Sequence, residues 1–275
     1  MNYTLISHAK NVGTVQNFLD AVKNAKNNYV KCIGQGDMLF DEFVLRDTYN
    51  DFITTGAEVM GADYVSFNKF SVPLELIESY RMPQDMSCYR NGSLKDKRYN
   101  LLIKRDYIHG PTLIYKRETL RYYLEVLAAA KIKYTEDIIP WLMVADEVKI
   151  SYLNRITVYY EDGIGFSRSR SDVMRHDHEN TIRLIISRIR DKDPEFACYL
   201  ADEQNKNIGS RKKYYRKKAR RKKIKKRLGI FAWLLIIPFR FMRYVRNLIR
   251  DIGKKRFFTR TDVPTDFANL CITRE

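Results

Sequence analysis

The sequence predicts an α/β domain followed by a helical and strongly basic tail. Up to about residue 160, short apolar runs typical of strands alternate with segments whose apolar residues recur at helical spacing, and after that only helical spacing remains. Charge divides the chain in a similar way. The segment 211–260 carries 21 Lys and Arg residues and one acid, so that of a total formal charge of +17 the remainder of the chain holds −3. The binding of a polyanion therefore belongs to the tail and not to the fold.

The first elements predict a β-α-β unit. Residues 3–7 have the composition of a short strand, and Thr14 is a favourable helix N-cap. The helix that follows is indicated by apolar residues at helical spacing, namely Val15, Phe18, Leu19 and Val22. The apolar run 29–33 supplies the second strand, and a right-handed parallel crossover is expected for such a unit.

The remaining elements follow from the same two periodicities. A stretch at 71–99 with two prolines is irregular. We predict helices over 41–53, 101–103, 118–130, 172–190 and 194–203, a helix beginning at Thr135, and strands over 64–67, 112–115, 149–153 and 156–160. Such alternation is typical of an α/β domain.

The second strand ends in Gly34-Gln35-Gly36-Asp37. Glycines allow a sharp turn and a close approach of the backbone to a ligand. An acid at the carboxyl end of a strand lies where open α/β sheets bind their ligands. The alternative interpretation is an ordinary turn in which Asp37 is a loop or capping residue.

Several features restrict the class of protein. The four cysteines, at positions 32, 88, 198 and 271, form no CxxC pair, which indicates reduced thiols in a cytosolic compartment. The first residues lack the pattern of a signal peptide. No stretch reaches the ~18–20 apolar residues of a membrane-spanning helix. His176-Asp177-His178 contains ligand-type residues, but on a helix its two histidines do not share a face, so we interpret it as surface.

Five motifs follow one another in a recognisable order. They are Asn11-Val12-Gly13 with Asn17, Gly34 to Asp37, Gly110-Pro111-Thr112, Thr135-Glu136-Asp137, and Tyr159 to Ser167. This order resembles the family 2 glycosyltransferases of the GT-A fold, particularly bacterial enzymes of capsule and surface-polysaccharide assembly. The resemblance covers about residues 3–170. It implies a mixed, Rossmann-like sheet, and because members begin with two further strands, it implies a sheet that is incomplete at its N-terminus.

The resemblance also implies a donor site. Asp37 matches the carboxylate that helps to hold a divalent metal, Mg²⁺ or Mn²⁺, on the diphosphate of a nucleotide sugar. Such a hard cation takes oxygen ligands and neutralises the leaving diphosphate. Family members often have two or three acids here, whereas this chain has one, so the dependence on metal stays open. Gly13, Asn17 and Gly36 match the surroundings of the nucleotide; the alternative for Gly13 and Asn17 is a turn glycine and an amide on a helix surface. Arg168 matches a loop near the active site, and its planar guanidinium suits phosphate oxygens; the alternative is a solvated loop residue.

Glu136-Asp137 matches the acidic pair on the acceptor side. In inverting members one carboxylate takes the proton from the acceptor hydroxyl, and we assign this role to Asp137 with Glu136 in support. The alternative is a pair of acids that only complement a helix dipole, worth up to ~1 kcal/mol.

The basic tail predicts attachment to an anionic membrane surface. Thirteen Lys and Arg residues lie within 211–227, and an apolar run with Trp233 and Phe239 follows. The subsequent residues predict an amphipathic helix whose basic stripe is Arg240, Arg243, Arg246 and Arg250. A polybasic segment beside such a helix is typical of interfacial binding. Nucleic-acid binding explains the charge but not the apolar run, and a helix docked on the body remains an alternative.

Together these observations divide the chain into four parts. They are a partial GT-A-like domain over 1–170, a helical extension over 171–210, the membrane-associating segment 211–260 and a tail over 261–275. The function expected is transfer of a sugar from a nucleotide-sugar donor to a glycan or lipid-linked acceptor in surface-polysaccharide synthesis, with inversion, at the cytoplasmic face of the membrane. The alternatives are an inactive remnant or subunit that binds a membrane or a partner enzyme, and, less favoured, an RNA-binding protein.

Overall fold

A computed structural model describes residues 3–68, 75–77, 83–90, 92–161 and 172–206. Its strands are β1 (Tyr29–Lys31), β2 (Met38–Leu39), β3 (Val59–Asn68), β4 (Glu75–Ile77), β5 (Ile114–Lys116) and β6 (Ile150–Glu161). Its α-helices are α1 (Thr14–Asn24), α2 (Val44–Thr55), α3 (Ser87–Arg90), α4 (Leu94–Arg98), α5 (Arg117–Ala129), α6 (Ile139–Ala145), α7 (Asp172–Arg190) and α8 (194–206). Short helical turns of other types lie at Tyr99–Lys104, Gly110–Thr112 and Glu136–Ile138.

The strands form one mixed sheet in the order β1-β5-β3-β6-β2, with β4 paired to β3. β3 and β6 run parallel at its centre, in a register that places Val59 opposite Ile150. The other pairs are antiparallel. The prediction of a mixed α/β sheet is therefore confirmed. None of the helices in the described ranges is long and apolar enough to cross a membrane.

The predicted parallel β-α-β unit is wrong. Residues 3–8 form no strand, and Tyr3 and Leu5 remain 89% and 83% exposed. β1 pairs instead with β5, antiparallel, with Val30 opposite Tyr115. The apolar residues at the start of the chain gain no burial in the described fold, so nothing offsets the entropy cost of ordering them as a strand.

Helices cover both faces of the sheet. On one face, residues from α1, α5, α6 and α7 surround Val59, Tyr115 and Ile150 in the main core. On the other face Phe52 of α2 packs against Met60 and Ile114. Successive residues within β3, and successive residues within β5, thus point to opposite faces of the sheet, as strand geometry requires. The residues predicted to form the core side of α5, which are Leu120, Tyr123, Leu124 and Leu127, are all buried.

Several predicted elements differ from the observed ones. α2 begins at Val44 and not at 41, because the Asp41 carboxylate accepts the N–H of Phe43 at 2.8 Å and forms a local turn. The two strands predicted over 149–160 are the single strand β6, with a register irregularity opposite Ala62–Tyr64. Thr135 is not a side-chain cap, since its φ is +92° and its hydroxyl instead lies 3.0 Å from that of Thr181.

Candidate functional site

The turn between β1 and β2 brings Asp37 to the end of β6. The Asp37 N–H donates to the Gly34 carbonyl at 3.3 Å, and the Asp37 carboxylate accepts the N–H of Glu161 at 3.0 Å. Gly36 has a φ of +92°, and a Cβ there would lie 1.8 Å from a carboxylate oxygen of Glu161. Burial raises the pKa of Asp37, against the backbone hydrogen bonds that lower it. Asp37 therefore lies in a tight, partly buried turn beside a second carboxylate.

The acidic pair lies on the turn that precedes α6. The hydroxyl of Thr14, the first residue of α1, donates to the carboxylate of Glu136. Burial raises the pKa of Glu136, and the negative charge of Asp137 raises it further. Burial also raises the pKa of Asp137. These two carboxyl groups hold protons more readily than ordinary surface acids, which is the usual condition of a catalytic base.

Asp137 lies close to Gly110 and to Tyr107. The residue is exposed to solvent, yet surrounding protein still raises the pKa of its carboxyl group. Opposite it, a Cβ on Gly110 would lie 3.3 Å from the Asp137 Cβ. Burial and the nearby charge of Asp137 raise the pKa of Tyr107. Gly110 and Tyr107 therefore lie near Asp137, a residue that solvent reaches.

The end of β1 lies between the two groups of acids. Lys31 donates to the Pro111 carbonyl and is attracted by the charge of Asp37. Burial lowers the pKa of Lys31 to about 8. Burial raises the pKa of the next residue, Cys32, to about 12, and the charge of Glu136 adds to this. Sequence reasoning missed Lys31, although a lysine inside an otherwise apolar strand was a visible signal.

Gly13 and Asn17 lie together in a cleft of about 750 Å³ at the start of α1. Gly13 has a φ of +88°, and a Cβ there would lie 2.5 Å from the Lys133 carbonyl oxygen. Thr14 lines the same cleft and binds Glu136, so the cleft adjoins the acidic pair. Gly36 and Asp37 are not part of this cleft.

The prediction that Asp177 lies on the surface is wrong. Asp177 was interpreted as surface, but it is only 4% exposed, and its carboxylate accepts the N–H groups of Lys133 and Tyr134 at 2.9 and 3.0 Å. It therefore holds the chain that leads into Glu136-Asp137. His176 is exposed, as predicted.

Several predicted residues cannot be placed in this geometry. Arg168, Trp233 and Phe239 lie outside the described residues, as do Arg240, Arg243 and Arg246. Within the described ranges, no three His, Cys, Asp or Glu residues are arranged to hold a metal ion. Asp37 and Glu161 offer a pair of carboxylates only.

Comparison with models of known protein families finds no match, and comparison with curated proteins finds none. Among solved structures, the chain is similar to S. aureus TarS 1-349 in complex with UDP-GlcNAc, with a TM-score of 0.45 and 19% identity over 66% of this chain and 48% of that one. A second structure of TarS 1-349 gives a TM-score of 0.42 and 18% identity, over 66% and 46%. The chain thus spans about half the length of the TarS chains that it matches. At this level of similarity the matches assign neither a family nor an activity.

Proposed function

We propose that this protein transfers a sugar from a nucleotide-sugar donor to a glycan or lipid-linked acceptor, with inversion at the anomeric carbon. The observation that carries the proposal is the Glu136-Asp137 turn. It presents a solvent-accessible residue whose carboxyl group has a raised pKa, beside a second carboxyl group that is bound by Thr14 of the α1 cleft. The order of motifs that resembles family 2 glycosyltransferases supports the same function.

Asp137 is the proposed general base. It takes the proton of the acceptor hydroxyl while that oxygen attacks the anomeric carbon, and the bond to the diphosphate breaks with its electron pair leaving on the diphosphate. The raised pKa of Asp137 favours this role, because the base must accept a proton during the reaction and release it afterwards. Glu136, held by Thr14, supports the position and charge of Asp137.

The donor is proposed to bind between the α1 cleft and the Asp37 turn. Gly13 and Asn17 line the first, Gly36 and Asp37 form the second, and Arg168 is proposed to contact a phosphate. Magnesium sites usually combine one or two carboxylates with phosphate oxygens, and Asp37 beside Glu161 fits that donor set. A bound Mg²⁺ or Mn²⁺ would neutralise charge that develops on the diphosphate.

The test measures turnover and donor binding separately in the full chain. A panel of nucleotide sugars that includes UDP-GlcNAc, the ligand of the TarS structure, is incubated with glycan and lipid-linked acceptors, and released nucleoside diphosphate is quantified. Asp137→Asn is expected to lower kcat by about 10²–10⁴-fold, the usual contribution of a general base, with little change in donor binding. Glu125→Gln, an exposed acid of α5, is the matched control and is expected to change neither.

Two outcomes would contradict the proposal. Full turnover by Asp137→Asn would remove the base assignment. Donor binding by the unmodified chain without any transfer would favour the alternative, a catalytically inactive subunit that serves a membrane or a partner enzyme.

The tail is proposed to bring the protein to the inner face of the cell membrane. The support is its charge, since each basic residue near an anionic leaflet contributes ~1 kcal/mol. Vesicles with phosphatidylglycerol are expected to retain the full chain, whereas neutral vesicles and a chain lacking 211–260 are expected to show little binding. Retention by RNA but not by anionic vesicles would instead support the nucleic-acid alternative.

A further inference from the structure

Lys31 is a half-buried cation whose close partner carries no net charge. Its ammonium group donates to the carbonyl oxygen of Pro111. No Asp or Glu oxygen of the described ranges lies within 4.0 Å of the ammonium nitrogen. A carbonyl dipole satisfies one of three N–H donors, and it does not neutralise the charge.

The neighbouring strand provides a direct comparison. Lys116 lies on β5, where it is opposite Tyr29, while Lys31 is opposite Ile114. The alternation of strand side chains places both lysines on the same face of the sheet. Lys116, however, forms an ion pair with Glu58 at 2.7 Å. Among the described residues, Lys116 thus has a counter-ion in contact, whereas Lys31 has none.

Burial of an uncompensated charge costs free energy. Ionised groups inside proteins are normally paired or bound to a ligand, because their removal from water is otherwise unfavourable. Asp37 attracts Lys31 from a distance beyond ion-pair contact. A cation kept under these conditions is a candidate for binding an anion that the described protein does not itself provide.

The surroundings of Lys31 suit such an anion. Lys31 lines a second cleft, of about 540 Å³, together with Asn27, Asn28 and Tyr49. The side-chain amides of the two asparagines have N–H groups that donate hydrogen bonds, and phosphate oxygens accept such bonds. Pro111, the partner of Lys31, follows Gly110, which in turn lies against Asp137. The Lys31 side chain therefore lines this cleft and contacts the Pro111 carbonyl, within electrostatic reach of Asp37.

We propose that Lys31 binds the diphosphate of the nucleotide-sugar donor and neutralises its charge beside Asp37. This inference rests on the proposed function. It assigns to a lysine part of the charge neutralisation that a metal held by several acids would otherwise provide, at a site where this chain has one turn carboxylate. The alternative is that Lys31 only prevents the edge of β1 from pairing with a strand of another molecule, since β1 lies at one end of the sheet order.

The experiment compares Lys31→Met with Lys116→Met in the full chain. Binding of UDP and of inorganic pyrophosphate is measured by calorimetry at physiological ionic strength, first with EDTA and then with Mg²⁺. Both variants keep the basic tail, so its non-specific attraction for phosphates is common to them. Lys31→Met is expected to lower the affinity for both probes by about tenfold or more with EDTA present, the scale of one hydrogen bond to a charged group. Lys116→Met is expected to bind as the unmodified chain does.

A second readout needs no variant and serves if Lys31→Met fails to fold. The unmodified chain is acetylated at mildly alkaline pH without ligand, with UDP and with pyrophosphate, and the modified lysines are identified by mass spectrometry. UDP is expected to protect Lys31 but not Lys116.

The outcomes separate this inference from the proposed function. Tight binding of UDP by the unmodified chain, with the same affinity in Lys31→Met or with no protection of Lys31, would overturn the inference and leave the proposed function standing. Absence of UDP and pyrophosphate binding by the unmodified chain would overturn both. Protection by pyrophosphate alone would assign Lys31 to a free phosphate species and not to the donor.

Discussion

Replacement of Asp177 by Ala tests whether α7 supports the proposed active site. The Asp177 carboxylate accepts two backbone N–H groups, from Lys133 and Tyr134, and the residue is almost fully buried. Without it both part-buried donors lose their partner, and an unsatisfied donor costs ~1–3 kcal/mol, with the upper end applying where water has no access. We therefore expect Asp177→Ala to lower the free energy of unfolding by about 2–5 kcal/mol. Asp177→Asn keeps an accepting oxygen and loses only the charge, so about 1–2 kcal/mol is expected.

Urea unfolding followed by circular dichroism measures these differences, because the midpoint shift and the slope give the change in free energy. Asp172→Ala is the matched control on the same helix, since Asp172 is exposed and its surface pair with Arg175 is worth less than ~1 kcal/mol. Transfer activity of folded Asp177→Asn is expected to fall through displacement of Glu136-Asp137. Equal stability of Asp177→Ala and Asp172→Ala would refute the reasoning.

Three further predictions follow from the turn and the buried charges. Gly36→Ala is expected to destabilise the fold by about 1–3 kcal/mol, because Ala strains a positive φ and its Cβ meets Glu161; a thermal midpoint equal to that of the unmodified chain would contradict this. Burial lowers the pKa of Lys31 to about 8, so the charged form is costly below about pH 8 and this cost disappears as the pH rises towards 10.5. Across that range the unmodified chain is expected to gain up to about 3 kcal/mol relative to Lys31→Met, and a pH-independent difference would be the contrary result. Burial raises the pKa of Glu136, so its contribution to stability is present below about pH 4.5 and is lost as the pH rises. Glu136→Gln is therefore expected to be more stable than the unmodified chain at neutral pH but not at pH 4. Equal unfolding curves of the two proteins at both pH values would contradict this.

The helices could be predicted from the sequence because their pattern is local. The buried residues of α1 and α5 recur at the spacing of a helix, and both helices begin and end within a few residues of the predicted positions. The same signal was available for Asp177, since Thr181 and Ile185 follow it at four-residue intervals and all three are buried.

The strands were harder to predict because pairing is not local. An apolar run such as 29–33 does not reveal whether its partner is the preceding strand or one more than 80 residues away, and β1 pairs with β5. The arrangement of the candidate site is also non-local. The individual acids were found from motifs, but the placement of Asp137 against Gly110, and of Lys31 between Asp37 and Pro111, depends on contacts between distant segments. Their proposed roles in transfer stay predictions.

The parallel pairing of β3 with β6 also affects how the chain folds. Val59 and Ile150 lie about 90 positions apart, and Met38 meets Tyr159 across a still longer separation. Loop closure over such distances must precede the contacts that stabilise it, so folding is expected to take milliseconds to seconds and not microseconds. During synthesis the central strand has no parallel neighbour until β6 has left the ribosome. Until then the apolar surface of β3 is exposed, and chaperones have a period in which to bind it.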